Sequence, residues 1–149
     1  MLVNKIVMLI SLFSAVAYAG AGPTISVKVK NVGTVPIYST PTGVNDSSTQ
    51  LKSSPTPIGS IPPGSVNGFS VNSPYANSAA ATFTYTAGKK KCAFATAVTI
   101  LPPPLLTGTP TVSWTKSGTS TGLTSAVCQA TITSVDFSGY SYSVEFTMK

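Results

Sequence analysis

Over its last eleven residues, "GYSYSVEFTMK", the chain alternates apolar and polar side chains without a break. Tyr140, Tyr142, Val144, Phe146 and Met148 fall on one side of an extended backbone; Ser141, Ser143, Glu145 and Thr147 fall on the other. A helix would scatter both sets around its circumference, whereas a strand gathers each onto one face. The same period of two recurs in "TISVKVKN", where Ile25, Val27 and Val29 oppose Ser26, Lys28 and Lys30. It returns in "ATFTYTAG", with Phe83 and Tyr85 against threonines. In "CAFATAVTI", Cys92, Phe94, Val98 and Ile100 oppose Ala93, Ala95 and Ala97. "TVSWTKS" aligns Val112 with Trp114, and "SAVCQATITSVDF" aligns Ala126, Cys128, Ala130 and Ile132.

Turn residues separate these runs. "GKKK" reads as a hairpin turn, "LPPPLLTGTP" as a strand stop and crossover, and "GTSTG" as a further turn. Residues 40–64 are dense in proline, glycine and hydroxyl residues, and read as a long connection with one short strand at 58–61. No segment carries a helical period. Seven to nine strands spaced by turns predict an all-β fold, an antiparallel β-sandwich of immunoglobulin-like or jelly-roll-like type. The order of Cys92, Trp114 and Cys128 resembles the cysteine–tryptophan–cysteine pattern of immunoglobulin-type sandwiches, which places a bridge in the core near Trp114. No tyrosine lies two residues before Cys128, so the likeness stops at the pattern.

The start of the chain sets the compartment. Lys5 precedes an apolar run from Ile6 to Val16, and Ala17-Tyr18-Ala19 supplies the small residues of a cleavage site. This is the plan of a secretory signal over residues 1–19, and the run is shorter than the ~20 apolar residues a membrane span needs. Residues 20–149 are then expected to form one domain, soluble after export and without a transmembrane segment. An oxidising destination makes disulfide bonding the default for the even pair Cys92 and Cys128, with no thiol left to be activated by Lys89, Lys90 and Lys91.

Charged residues make up 8 % of the chain, against roughly 25 % in ordinary proteins, and 21 serines and 21 threonines take their place. All nine basic residues are lysines, so the bidentate recognition of phosphates and bases that arginine provides is missing, and no nucleic-acid partner is expected. With no histidine and only Asp46, Asp136 and Glu145 as acids, the sequence offers no catalytic or metal-binding set, and no cofactor is expected. The acids read as scattered and solvated. Lys89, Lys90 and Lys91 read as a solubilising hairpin that blunts a strand edge; the other reading is a site for an acidic surface. An acidic membrane adds only about 1 kcal/mol per lysine, and these three have no apolar wedge beside them. Tyr75 stands at the tip of the loop "NSPYANSAA", where an exposed ring can stack on a sugar, or else cap one end of the core.

Two resemblances are partial. "TISVKVKNVGTVPI" followed by "SIPPGSVNGFSV" is similar in layout to secreted sandwiches such as the aegerolysins, although the tryptophan-rich face of those proteins is missing. The exported, serine- and threonine-rich alternation also resembles pilus subunits assembled by a chaperone and usher, but Met148 stands where those carry a penultimate tyrosine. Neither family is assigned. The expected function is an exported, non-enzymatic binding protein of bacterial type. It would engage a glycan or a host or envelope surface through its loops, with Tyr75 and Lys89 to Lys91 as candidate contacts. The alternative is a structural subunit of a surface fibre or coat, self-associating through its terminal strands.

Overall fold

The computed structural model describes residues 22–57, 59–105 and 108–149; the expected signal peptide lies outside them. In chain order the elements are β1 (Thr24–Asn31), β2 (Ile37–Ser39), α1 (Val44–Lys52), β3 (Ser53–Ser54), β4 (Ser60–Ile61), β5 (Val66–Asn72), β6 (Ser78–Ala87), β7 (Lys90–Leu101), β8 (Thr111–Ser120), β9 (Cys128–Val135) and β10 (Tyr142–Met148). Seven of the strands are seven or more residues long; β2, β3 and β4 are short additions of two or three. The strands form two sheets, β3-β5-β1-β10-β9 and β4-β2-β6-β7-β8, packed face to face as the alternation predicts.

The inward faces are the apolar phases read from the sequence. Ile25, Val27 and Val29 of β1 meet Tyr142, Val144 and Phe146 of β10 across the ladder, and all are buried. From the opposite sheet come Phe83, Tyr85, Cys92, Phe94 and Val98. Phe83 is the hub: its ring lies 5.4 Å from Phe69, 5.5 Å from Phe94 and 5.0 Å from Phe146, the contacts to Phe69 and Phe146 being edge to face.

Two features depart from the sequence reading. β1 pairs with β10 in parallel, in register from Ile25↔Tyr142 to Asn31↔Met148, within an otherwise antiparallel arrangement. β1 is also paired antiparallel with β5, so it lies inside its sheet with both edges bonded. Second, the long connection holds a helix, α1. Its apolar residues Val44 and Leu51 are 86 % and 87 % exposed, while Asp46 and Thr49 are buried. That inverts the periodicity by which a core-facing helix is recognised. The short strand expected at 58–61 is β4, limited to Ser60–Ile61, with position 58 outside the described residues.

α1 does a strand's work. β2 pairs with β6 only at Tyr85 and Thr86, leaving much of that edge without a strand neighbour. The Thr82 backbone N–H instead donates to the Thr49 hydroxyl at 2.9 Å. Covering a strand edge with a helix satisfies its backbone and blocks edge pairing. The opposite flank is closed by the Cys92–Cys128 disulfide, which joins β7 of one sheet to β9 of the other with Cα atoms 5.7 Å apart. Cys92 is fully buried and Cys128 half-buried. Trp114 does not stand beside this bridge. It pairs with Val98 on the β7–β8 ladder, six residues along from the Cys92↔Ser120 pair, roughly 20 Å at strand spacing.

Candidate functional site

Tyr75 sits in the loop between β5 and β6, and three anchors fix that loop. The Tyr75 N–H donates to the Ser73 hydroxyl at 3.1 Å. The Gly22 N–H donates to the Ser73 carbonyl at 3.3 Å, and the Ile100 N–H to the Asn77 carbonyl at 2.8 Å. Gly22 runs so close to the loop that a Cβ there would overlap the Tyr75 carbonyl oxygen, so only glycine fits. Tyr75 remains 62 % exposed.

Beside the ring lies a cleft of about 360 Å³. One wall is α1, which presents Asn45, Ser48 and Lys52, spaced three and four apart on one helical face. The other wall is the end of β5 with Asn72, and the floor is the outer face of β6 and β7, where Ala80 pairs with Ala97 and Ser78 with Thr99. Small floor residues leave the space; amides and hydroxyls line it. The size falls within the range of ligand pockets. The lining can stack, through Tyr75, and hydrogen-bond, through Asn45, Ser48, Asn72 and Thr99. It includes one ammonium, Lys52, and no carboxylate.

Asp46 holds the helical wall in place. Its Oδ2 accepts from the Thr84 hydroxyl at 2.8 Å, the Thr42 N–H at 3.1 Å and the Thr42 hydroxyl at 3.2 Å. The expectation of a solvated acid is therefore corrected: Asp46 is buried because α1 lays its first turn on β6. Asp136 belongs to the β9–β10 turn, where the Ser138 hydroxyl, then its N–H, and the Gly139 N–H hold the carboxyl below its ordinary value. Glu145 lies on β10 opposite Lys28 of β1. The three acids thus stand on separate elements.

The lysine stretch lies at the other end of the molecule. Gly88, at φ +60°, and Lys89 form a two-residue turn, with Ala87 facing Lys90. Glycine at the first turn position is what a type II′ hairpin requires. Lys90 and Lys91 belong to β7, which has β6 and β8 on either side, so they do not guard a strand edge. The backbone around them is covered instead by segment 121–124: Thr121 and Thr124 donate N–H groups to the Lys91 and Lys89 carbonyls. Tyr75 and the lysines are separated by the whole of β6, ten residues or about 30 Å. The structure therefore brings Tyr75 together with Asn45, Ser48, Lys52 and Asn72, and not with Lys89 to Lys91. The helical contributors were invisible to sequence reading because α1 buries its polar face.

No family model, curated protein or solved structure matches this chain. Among the described residues no helix is long and apolar enough to cross a membrane.

Proposed function

We propose that the protein is an exported, non-enzymatic binding module that takes a glycan at the Tyr75 cleft. The observation that carries this reading is the cleft itself: an exposed aromatic ring on an anchored loop beside amide and hydroxyl side chains. A sugar offers an apolar ring face for stacking and a rim of hydroxyls for hydrogen bonds, and this lining offers the complement of both. The Cys92–Cys128 bridge supports export, since such bonds persist in oxidising compartments.

A glycan array probed with residues 20–149 tests the reading. Binding to a defined glycan class is expected, with a loss of tenfold or more in Tyr75→Ala, as a lost anchor of roughly 1.4 kcal/mol implies. Asn45→Ala should weaken the same glycans. Gly22→Ala should weaken them too, by displacing the loop without touching the ligand. A blank array, or binding indifferent to Tyr75→Ala, would dismiss the cleft. Heat-labile ladders on a gel would favour the fibre-subunit alternative, in which β1 must leave its bonded place between β5 and β10 to pair with another chain.

A further inference from the structure

We propose that the end of the sandwich opposite the Tyr75 cleft is a docking surface for an anionic lipid bilayer. The argument begins with segment 121–124. Thr121 N–H bonds the Lys91 carbonyl at 2.9 Å, and Thr124 N–H bonds the Lys89 carbonyl at 3.2 Å. Gly122 lies directly on the backbone of Lys89 to Lys91, where a Cβ would collide. Leu123, held between these anchors, has nowhere to go but outward and is 92 % exposed. The apolar wedge that the lysine stretch lacks in sequence is thus supplied from thirty-two positions beyond Lys91.

Other elements bring more of both kinds. Lys149 and Val127 are joined by two backbone hydrogen bonds of 2.9 and 3.0 Å, and Val127 is 52 % exposed. Val35, 53 % exposed, comes from the β1–β2 connection and shares a small cavity of about 120 Å³ with Lys90 and Lys149. Asn31 holds that connection by donating to the Val35 carbonyl at 2.7 Å. Among the described residues the side-chain carboxylates lie elsewhere: Asp46 is buried under α1, Asp136 is in the β9–β10 turn at the far end, and Glu145 faces Lys28 within the sheet. Cys92 follows Lys91 and Cys128 follows Val127, so the disulfide stiffens the base of this tip.

Lysines mixed with outward aliphatic side chains suit a bilayer better than a soluble polyanion. Headgroup charge attracts the ammonium groups, each raising affinity roughly fivefold at low salt. Leu123 and the valines gain only if an apolar phase receives them, and a full leucine is worth roughly tenfold or more. A dissolved acidic polymer offers the first term and not the second.

The test is co-sedimentation of residues 20–149 with vesicles of phosphatidylcholine alone and of equimolar phosphatidylcholine and phosphatidylglycerol. Binding to the anionic vesicles only, weakening with salt, is expected. Joint substitution Lys89→Gln, Lys90→Gln and Lys91→Gln should reduce affinity at least tenfold, and Leu123→Ser by several-fold to tenfold with no change in melting temperature. Tyr75→Ala should bind vesicles like the parent, which separates this surface from the glycan cleft. Equal binding to both vesicle types, no binding to either, or anionic binding that Leu123→Ser leaves intact would overturn the proposal; the last result would mark a purely electrostatic polyanion site.

Discussion

Two buried tyrosines show how much one hydroxyl depends on its surroundings. The Thr96 hydroxyl donates its single proton to the Thr115 carbonyl at 2.8 Å, so toward Tyr142 it can only accept. The Tyr142 phenol therefore donates, and the chain Tyr142–Thr96–Thr115 links β10 of one sheet to β7 and β8 of the other. Tyr85 is fully buried with Asn67 near its hydroxyl, and burial raises its pKa. Yet neither its hydroxyl nor Asn67 Nδ2 completes a hydrogen bond. Tyr142→Phe should accordingly cost about 1–2 kcal/mol in urea unfolding, and Tyr85→Phe less than about 0.5 kcal/mol or even a gain, because it removes an unsatisfied group. The reverse order would show that the Tyr142 chain is idle. Burial also pushes the Tyr142 phenol up to about 12 from 10.0. Below pH 10 both folded and unfolded chains keep that proton. Between pH 10 and 12 the unfolded chain releases it first, so stability falls as pH rises through this window. Unfolding titrations across it should show the decline, and Tyr142→Phe should make it shallower.

At the scale of the element, α1 is the piece that sequence patterning hides. Its docking rests on Asp46 and Thr49 rather than on apolar burial. Hydrogen bonds to a carboxylate are worth more than neutral ones, and Thr84 would be left buried without its acceptor. Asp46→Ala is expected to lose about 2–3 kcal/mol of stability, read from denaturant midpoints, while Asp46→Asn, which keeps an acceptor oxygen, loses less. The same change should weaken glycan binding at the Tyr75 cleft, since Asn45 and Ser48 ride on the displaced helix. A loss under about 0.5 kcal/mol would place the weight of docking on Thr49 instead. The strands behaved otherwise: their inward faces are the apolar phases of the sequence, because alternation alone decides which side of a pleat faces the core. Alternation is silent about strand direction. β1 and β10 carry the same phase whether they run parallel or antiparallel, so only the register revealed the parallel pair.

For the whole molecule, the Cys92–Cys128 bridge closes one flank and α1 the other. A bridge spanning 36 residues removes unfolded-chain entropy worth about 3–4 kcal/mol. Reduction should lower the melting temperature by roughly 10 °C. Intact-mass measurement with a thiol-blocking reagent should find no free thiol in native protein; two blocked cysteines would contradict the bridge. Local pattern was sufficient for the all-β class, the inward faces and the cysteine pairing, because each follows from side-chain period or from the even pair of cysteines in phase with the apolar faces, whereas the sequence leaves open whether Tyr75 stands exposed or caps the core. The docking of α1, the direction of β1, and the gathering of Lys89 to Lys91 with Leu123, Val127 and Lys149 were decided by tertiary structure alone. They depend on which edges the sheets leave open and on which loops meet at each end of the sandwich, and no stretch of the chain carries that information by itself.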